Sequence, residues 1–453
     1  MSLRLLLPAL CAPLLMAAAP ADTLPRRATM GVAIEAAPAG DEGVVVTAVM
    51  PQAGDWIGKL RPGDRIVAFE GRPLTAPRDL TTAVGKLKAG TRVEVAVVRD
   101  GKRATLKGRL AARPREVFSN GVARYSAVPF RGGQLREIMV TPEGEAKGPV
   151  LFILQGYTCA PVETANADTA HHQLIDGLLA RGISTYRVEK PQAGDSRGGP
   201  DCNDTDFETE VQAFQAGYRS LIETHGVSPD RIFLLGHSLG GLEAPIVASR
   251  GPSPRGVAVY GTLIRNWGDY LIDIFKYQEL IARDGDPVKG EIAGERNRPI
   301  VQKIYYEGRT PVEVAAASAE DAKQLRDWFE WDGRTQLWGR HYSYWQGIAA
   351  TPLGKAWSET RSRVLSIYGE SDFEAIDDGD HRLIADVVNH YRPGTARYVM
   401  LEKSGHGMRL DGDRAQARAR NLSAAPAPAP FNAALVPLLA DWIDESMRQP
   451  PVR

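Results

Sequence analysis

The stretch Leu234-Leu235-Gly236-His237-Ser238-Leu239-Gly240-Gly241 lies just past the middle of the 453-residue chain. An apolar run over 231–235 precedes it, and a helix-forming run over 242–249 follows. Ser238 therefore stands at a strand–turn–helix junction with a glycine two places to either side. Such a turn projects the hydroxyl where an imidazole reaches it, and the glycines let strand and helix backbones pack closely around it. The pattern alone is short enough to arise by chance, so the surrounding chain decides its meaning.

With 43% hydrophobic and 24% charged residues, the composition is that of a globular protein. The length predicts two or more domains. The 55 basic and 55 acidic residues cancel, so no electrostatic footprint for nucleic acid is present. The first 21 residues read as a secretory signal: one early Arg, an apolar run, then Ala19-Pro20-Ala21 at the cleavage position. The sequence thus predicts a periplasmic or secreted protein with no membrane-spanning segment once the signal is removed. Cleavage leaves two cysteines, Cys159 and Cys202. In an oxidising compartment that count suggests one disulfide, although two buried thiols would also satisfy it.

Short strands with turn signals fill residues 28–112, including the strand over 44–49, the turn Leu60-Arg61-Pro62-Gly63-Asp64 and the strand over 65–69. On Leu60-Arg61-Pro62-Gly63-Asp64-Arg65-Ile66, Phe69-Glu70-Gly71-Arg72-Pro73-Leu74 and Met30-Gly31-Val32, this segment resembles a PDZ domain of the bacterial periplasmic type. The resemblance implies a small β-sandwich or barrel-like domain. It also makes Met30, Gly31 and Val32 a carboxylate-binding loop for a peptide C-terminus added to the sheet edge. Used only as a packing module, the same fold would bind nothing. Residues 113–120 read as a linker.

From residue 121 the rhythm lengthens to strands alternating with helices, which argues for a mostly parallel α/β sheet. The strands fall over 123–128, 135–140, 150–154, 184–188, 231–235, 257–260, 364–368 and 397–401, and helices fall over 172–181 and 208–225. A hydroxyl nucleophile needs a base, and the base an orienting carboxylate. The strand over 364–368 runs into Gly369-Glu370-Ser371-Asp372, and that over 397–401 into Glu402-Lys403-Ser404-Gly405-His406. Serine, acid and histidine in this order at strand ends resemble the α/β-hydrolase family, with the sheet flanked by helices on both faces. The resemblance covers residues 121–261 and 362–449 and implies the triad Ser238, Asp372 and His406. Glu370 is the second choice of acid. Asp377, Asp378 and Asp380 read as a solvated loop, His381 and His390 as surface or packing, and His237 as directed away from the serine. His171-His172 lacks a third ligand at metal spacing, so no metal and no other cofactor is assigned.

The resemblance also implies an oxyanion hole made by the N–H groups of Leu239 and Tyr157, with Gln155-Gly156-Tyr157 where many members carry His-Gly-x. Gly194-Asp195-Ser196-Arg197-Gly198 is similar to a loop of peptidase and esterase members. Cys202 follows on that loop and Cys159 lies on the oxyanion loop, which makes a Cys159–Cys202 bridge plausible. Residues 262–361 interrupt the α/β rhythm where the family places a cap. They hold six of the eight tryptophans, read either as the cap's own core or as an apolar acyl pocket, with Arg340 a candidate for a substrate carboxylate. The reading is a serine hydrolase acting on a small ester or a peptide. A serine aminopeptidase-like or dipeptidyl-peptidase-like enzyme of the same fold is the near alternative, and a catalytically silent PDZ-containing binding protein the distant one.

Overall fold

Two residues, Arg131 and Gly132, join the long antiparallel pair Gly121–Phe130 and Gly133–Pro142. Both have positive φ, 43° and 78°, the conformation that matches a two-residue turn to strand twist. In the computed structural model, which describes residues 22, 24–38, 40–144, 147–423 and 428–452, this hairpin edges a nine-stranded sheet. The predicted signal over 1–21 lies outside the described residues.

The hairpin meets Ser184–Val188 in antiparallel register. Val150–Leu154, Ile232–His237, Gly256–Tyr260, Arg363–Gly369 and Ala396–Leu401 then follow as parallel neighbours. Because successive strand side chains alternate faces, these runs feed two cores. Phe152, Leu154 and Leu234 join Val211, Phe214, Leu242 and Ile384 on one face. Leu151, Ile153, Phe233 and Leu235 join Leu174, Leu178, Leu435 and Leu439 on the other. Runs apolar at every position are what a sheet covered on both faces requires. The parallel strands all end at one edge, which gathers the loops after Leu154, His237, Gly369 and Leu401.

Residues 262–361 are mainly helical, with helices such as Trp267–Arg283, Pro287–Val301 and Tyr342–Ala350. Their apolar side chains, among them Leu271, Ile300, Phe329 and Trp345, are continuous with the core on the first sheet face. The cap is thus packed onto the sheet domain and shares its core.

The N-terminal unit has its own core around Trp56, Val46, Ile66 and Val95. Its antiparallel sheet runs in the order Val32–Ala36, Val44–Val49, Arg65–Phe69, Arg92–Arg99, Lys102–Arg109, and the helix Pro77–Gly85 packs beside it. The buried Asp64 of the quoted turn accepts from Arg61 N (2.9 Å) and from Arg99 Nε (2.6 Å).

Entry to and exit from this unit are zipped together, Ala28 opposite Ala112 and Thr29 opposite Ala111. The zipped segment is clamped to the sheet domain by charge. Arg26 pairs with Glu163 (2.8 Å) and with Asp195, and Asp195 also accepts from Arg27 N (2.8 Å). Arg136 on the hairpin reaches back to Asp22 (2.6 Å) and Leu24 O (2.7 Å). The loop over 194–198 is therefore a docking element. Its Ser196 is fully buried and accepts from Arg136 N (2.9 Å), which leaves it no catalytic access. Removing one partner of a buried pair strands the others. Asp195→Ala is expected to cost about 3–5 kcal/mol of stability in denaturant unfolding, with earlier proteolysis between residues 113 and 120.

Candidate active site

Ser238 follows Ile232–His237 and precedes Gly240–Ser249. Its φ is 55°, the left-handed region that costs an ordinary residue about 1–2 kcal/mol. Two bonds hold it there: Ser238 N donates to Tyr260 O, and Gly241 N donates to Ser238 O, both at 2.9 Å. Gly236 permits the crossing, since a Cβ there would stand 2.6 Å from Gly241 Cα. The strained serine is thus imposed by the packing of helix on strand.

Asp372 and His406 meet as the chain order predicts, with His406 Nδ1 2.9 Å from Asp372 Oδ2. The other carboxylate oxygen, Oδ1, accepts from Glu374 N and Ala375 N, each at 3.0 Å. Burial raises the pKa of Asp372, but His406 and these bonds outweigh it and hold the group below its ordinary value. Asp372 therefore stays an anion that accepts from Nδ1–H and leaves Nε2 as the working nitrogen. Gly261 (φ 61°) makes room for the pair, as a Cβ there would lie 2.7 Å from Asp372 Oδ2 and 2.9 Å from His406 Nδ1. Glu370 faces elsewhere, accepting from Lys403 N at 2.7 Å.

Two readings of the neighbours are corrected, and one neighbour is new. His237 is not directed away: its Nε2 donates to His406 O (2.9 Å) and its ring lies 5.2 Å from the His406 ring. Burial first, then the His406 charge, push its pKa down to about 3, so it is a neutral prop. Asp380 is buried and fastens the start of the cap, accepting from Arg265 N at 2.9 Å and Ile264 N at 3.1 Å. Glu374, unforeseen, places Oε2 3.1 Å from His406 Nε2. Although burial lowers His406, Asp372 and then Glu374 hold its pKa up at about 9.

Gly156 lies over the serine, since a Cβ on it would be 3.4 Å from Ser238 Oγ. Its carbonyl accepts from Lys190 Nζ (2.6 Å), and the next carbonyl, Tyr157 O, accepts from Arg340 Nη1 (2.5 Å). In a trans peptide the N–H points opposite to the C=O. Drawing Gly156 O toward Lys190 therefore turns Tyr157 N–H the other way. Lys190 and Arg340 share Glu210, at 2.5 and 2.8 Å, and all three side chains are buried. Arg340 is thus spent inside the protein and is no candidate for a substrate carboxylate. Burial and the Glu210 charge hold neighbouring Glu243 well above the usual carboxylate range. Cys159 and Cys202, 43 residues apart, form a disulfide that ties this loop to the segment leading into the helix that bears Glu210.

The alpha/beta hydrolase family profile matches residues 165–421, and the PDZ domain profile matches residues 28–110. The chain belongs to the alpha/beta hydrolase family. Its N-terminal unit is a PDZ domain. A probable periplasmic serine endoprotease DegP-like of Pseudomonas fulva is 36% identical over 72 residues, 16% of this chain and 15% of that protein. One of Pseudomonas fluorescens is 35% identical over 105 residues, 23% of this chain and 22% of that protein. The chain thus spans well under a quarter of these relatives, which match through the PDZ domain. Among solved structures, Est1E from Butyrivibrio proteoclasticus is 14% identical with a TM-score of 0.44, covering 73% of this chain and all of that one. The Pyrococcus horikoshii acylaminoacyl peptidase is 10% identical with a TM-score of 0.44, covering 79% of this chain and 48% of that one.

In this hydrolase the cap tryptophans divide. Trp267, Trp338 and Trp345 line a cavity of about 630 Å³ that reaches Ser238 and Leu239 and continues along Leu271, Ile274 and Phe275. Trp267 and Trp345 stack at 5.1 Å, and Tyr157 leans on Trp345 at 5.6 Å. Trp357 is fully buried away from the cavity. Such a pocket takes an apolar or aromatic group next to the serine.

Two measurements follow from this geometry. Lys190→Met leaves Gly156 O without its buried donor and is expected to lower kcat on a nitrophenyl ester by about 10²–10³-fold with little change in KM. Work as a base needs His406 uncharged, so kcat/KM is expected to rise with pH through about 9. Glu374→Gln removes one of the two charges holding the proton, and the rising limb should move to lower pH.

Proposed function

We propose that the chain is an exported serine hydrolase that cleaves an ester or amide bond through Ser238, His406 and Asp372. The reading rests on one observation: His406, held by Asp372, and the strained Ser238 line a common cavity of about 440 Å³ beneath the Gly156–Tyr157 loop. His406 Nε2 takes the Ser238 proton as Oγ attacks the substrate carbonyl carbon. The carbonyl oxygen, now an anion, is held by the N–H groups of Leu239 and Tyr157. Collapse of the adduct expels the alcohol or amine, which leaves with the proton from Nε2. Water, deprotonated by the same nitrogen, then attacks the acyl-enzyme, and the acid departs as Ser238 regains its proton.

Export rests on the leader over 1–21, and among the described residues no helix is long and apolar enough to cross a membrane. The PDZ domain serves to capture a peptide C-terminus at Met30-Gly31-Val32, where Gly31 has a φ of 65°. A second reading, an aminopeptidase-like enzyme, draws on Glu374. Its side chain is 59% exposed beside His406, placed to receive a substrate ammonium.

A fluorophosphonate probe is expected to label the wild type and to leave Ser238→Ala unlabelled, while no labelling of either makes the domain a binder. Nitrophenyl esters compared with aminoacyl and dipeptidyl anilides on the same preparation separate esterase from peptidase by kcat/KM.

A further inference from the structure

Two cavities in this molecule share one short wall. The first holds Ser238 and His406. The second, about 570 Å³, lies between the PDZ domain and the hydrolase domain. Its PDZ side is Met30, Val32 and Ile34 together with Leu80 and Val84 of the helix, and its hydrolase side includes the Cys159–Cys202 bridge and Asn203. Ala160 and Pro161 line both cavities, and both are exposed. The segment from Gly156 to Pro161 is therefore a partition. Lys190 holds one end on the catalytic side, and the disulfide holds the other on the groove side.

The groove is shaped for an extended chain with an anionic end. Val32–Ala36 pairs only with Val44–Val49 among the described residues, so one edge of the strand remains for a ladder with a ligand. Arg27, Lys86 and Arg113 line the groove, and Asp201 is the one acid among its lining residues. Arg113 Nη1 is buried with no hydrogen-bond acceptor among the described residues. Arg113 Nη2 pairs with Glu163 at 3.3 Å, so Nη1 is the donor left over, and a terminal carboxylate would supply its acceptor. A peptide lying along Val32–Ala36 would also face residues that the hydrolase domain supplies.

We propose that this groove is a composite effector site. The C-terminal segment of a peptide, bound between the PDZ strand and the Ala160–Pro161 partition, presses on the loop that carries Tyr157 N–H and raises the activity of the neighbouring site. The proposal rests on the serine-hydrolase reading of Ser238. Two sites joined by one wall couple reciprocally, typically by 5–150-fold in affinity, so a group held at Ser238 must in turn alter peptide binding.

The test uses the full chain. Decapeptides with free carboxyl termini are selected from a random library, and their C-terminally amidated versions serve as controls. The selected peptide is expected to raise kcat/KM for a nitrophenyl ester about 5-fold or more, and the amidated peptide to do nothing. Fluorophosphonate modification of Ser238 should change peptide affinity about 5-fold or more. Lys86→Glu and Asn203→Trp, which approach the groove from its two walls, should each weaken peptide binding, with folding checked by circular dichroism. A peptide that binds while rate and affinity stay uncoupled overturns the effector role. Loss on Lys86→Glu alone, with Asn203→Trp unaffected, overturns the composite site and leaves an ordinary PDZ groove. Selection of no carboxyl-terminated peptide overturns both. Failure of the serine reading appears separately, as a wild type that the probe does not label.

Discussion

Glu210 holds two cations that arrive from different parts of the fold, and the catalytic edge depends on that junction. Lys190 comes from the end of a sheet strand and Arg340 from the cap, and both meet a carboxylate rooted in the helix Phe207–Glu223. Taking three charges out of water is costly, and the cost is offset only where geometry is tight and further bonds are made. Here those further bonds go to Gly156 O and Tyr157 O. The cluster therefore couples cap docking, strand end and loop conformation in one network. A misplaced cap would leave Glu210 and the loop carbonyls short of their donors together.

The acidic and basic loops of the site are built on a different principle, one of backbone ties. Ser371 N donates to Ser404 O at 3.0 Å, and Glu370 N donates to Leu401 O at 3.0 Å. Tyr260, beside the serine on the next strand, donates to Gly405 O at 2.7 Å. The loops bearing Asp372 and His406 are thus fixed to one another before any side chain meets. The electrostatics then work against rest: Asp372 and Glu374 hold a proton on the imidazole that a base must lose. Substrate entry between Ser238 and Glu374 would exchange that ion pair for the reaction.

Much of this arrangement was legible in the sequence because it is local or periodic. Runs apolar at every position, such as Val-Leu-Phe-Ile-Leu over 150–154, announce strands covered on both faces. A glycine-flanked serine between strand and helix announces its own turn. Asp372 and His406 were legible because strand ends converge in a parallel sheet. The disulfide was legible only as a count until two loops were assigned to one edge. What escaped was long-range and polar. Lys190 and Arg340 are 150 residues apart, so nothing in the sequence marks Lys190, and Arg340 reads as a partner for a substrate carboxylate instead of for Glu210. Glu374 lies two residues past Asp372, and the only available signal was that closeness. Asp195 and Ser196 resembled a loop of peptidase and esterase members, and their docking role escaped because identity, and not burial, is what a sequence displays.

The paired crossings at Ala28–Thr29 and Ala111–Ala112 give the PDZ domain no free tether. Modules on flexible linkers meet their neighbours by diffusion, at an effective concentration set by linker length. Here the Arg26 and Asp195 contacts set the distance instead, so the molecule works as a ruler. A ligand caught in the groove would lie at one fixed distance and bearing from the catalytic edge, on the far side of the Ala160–Pro161 partition.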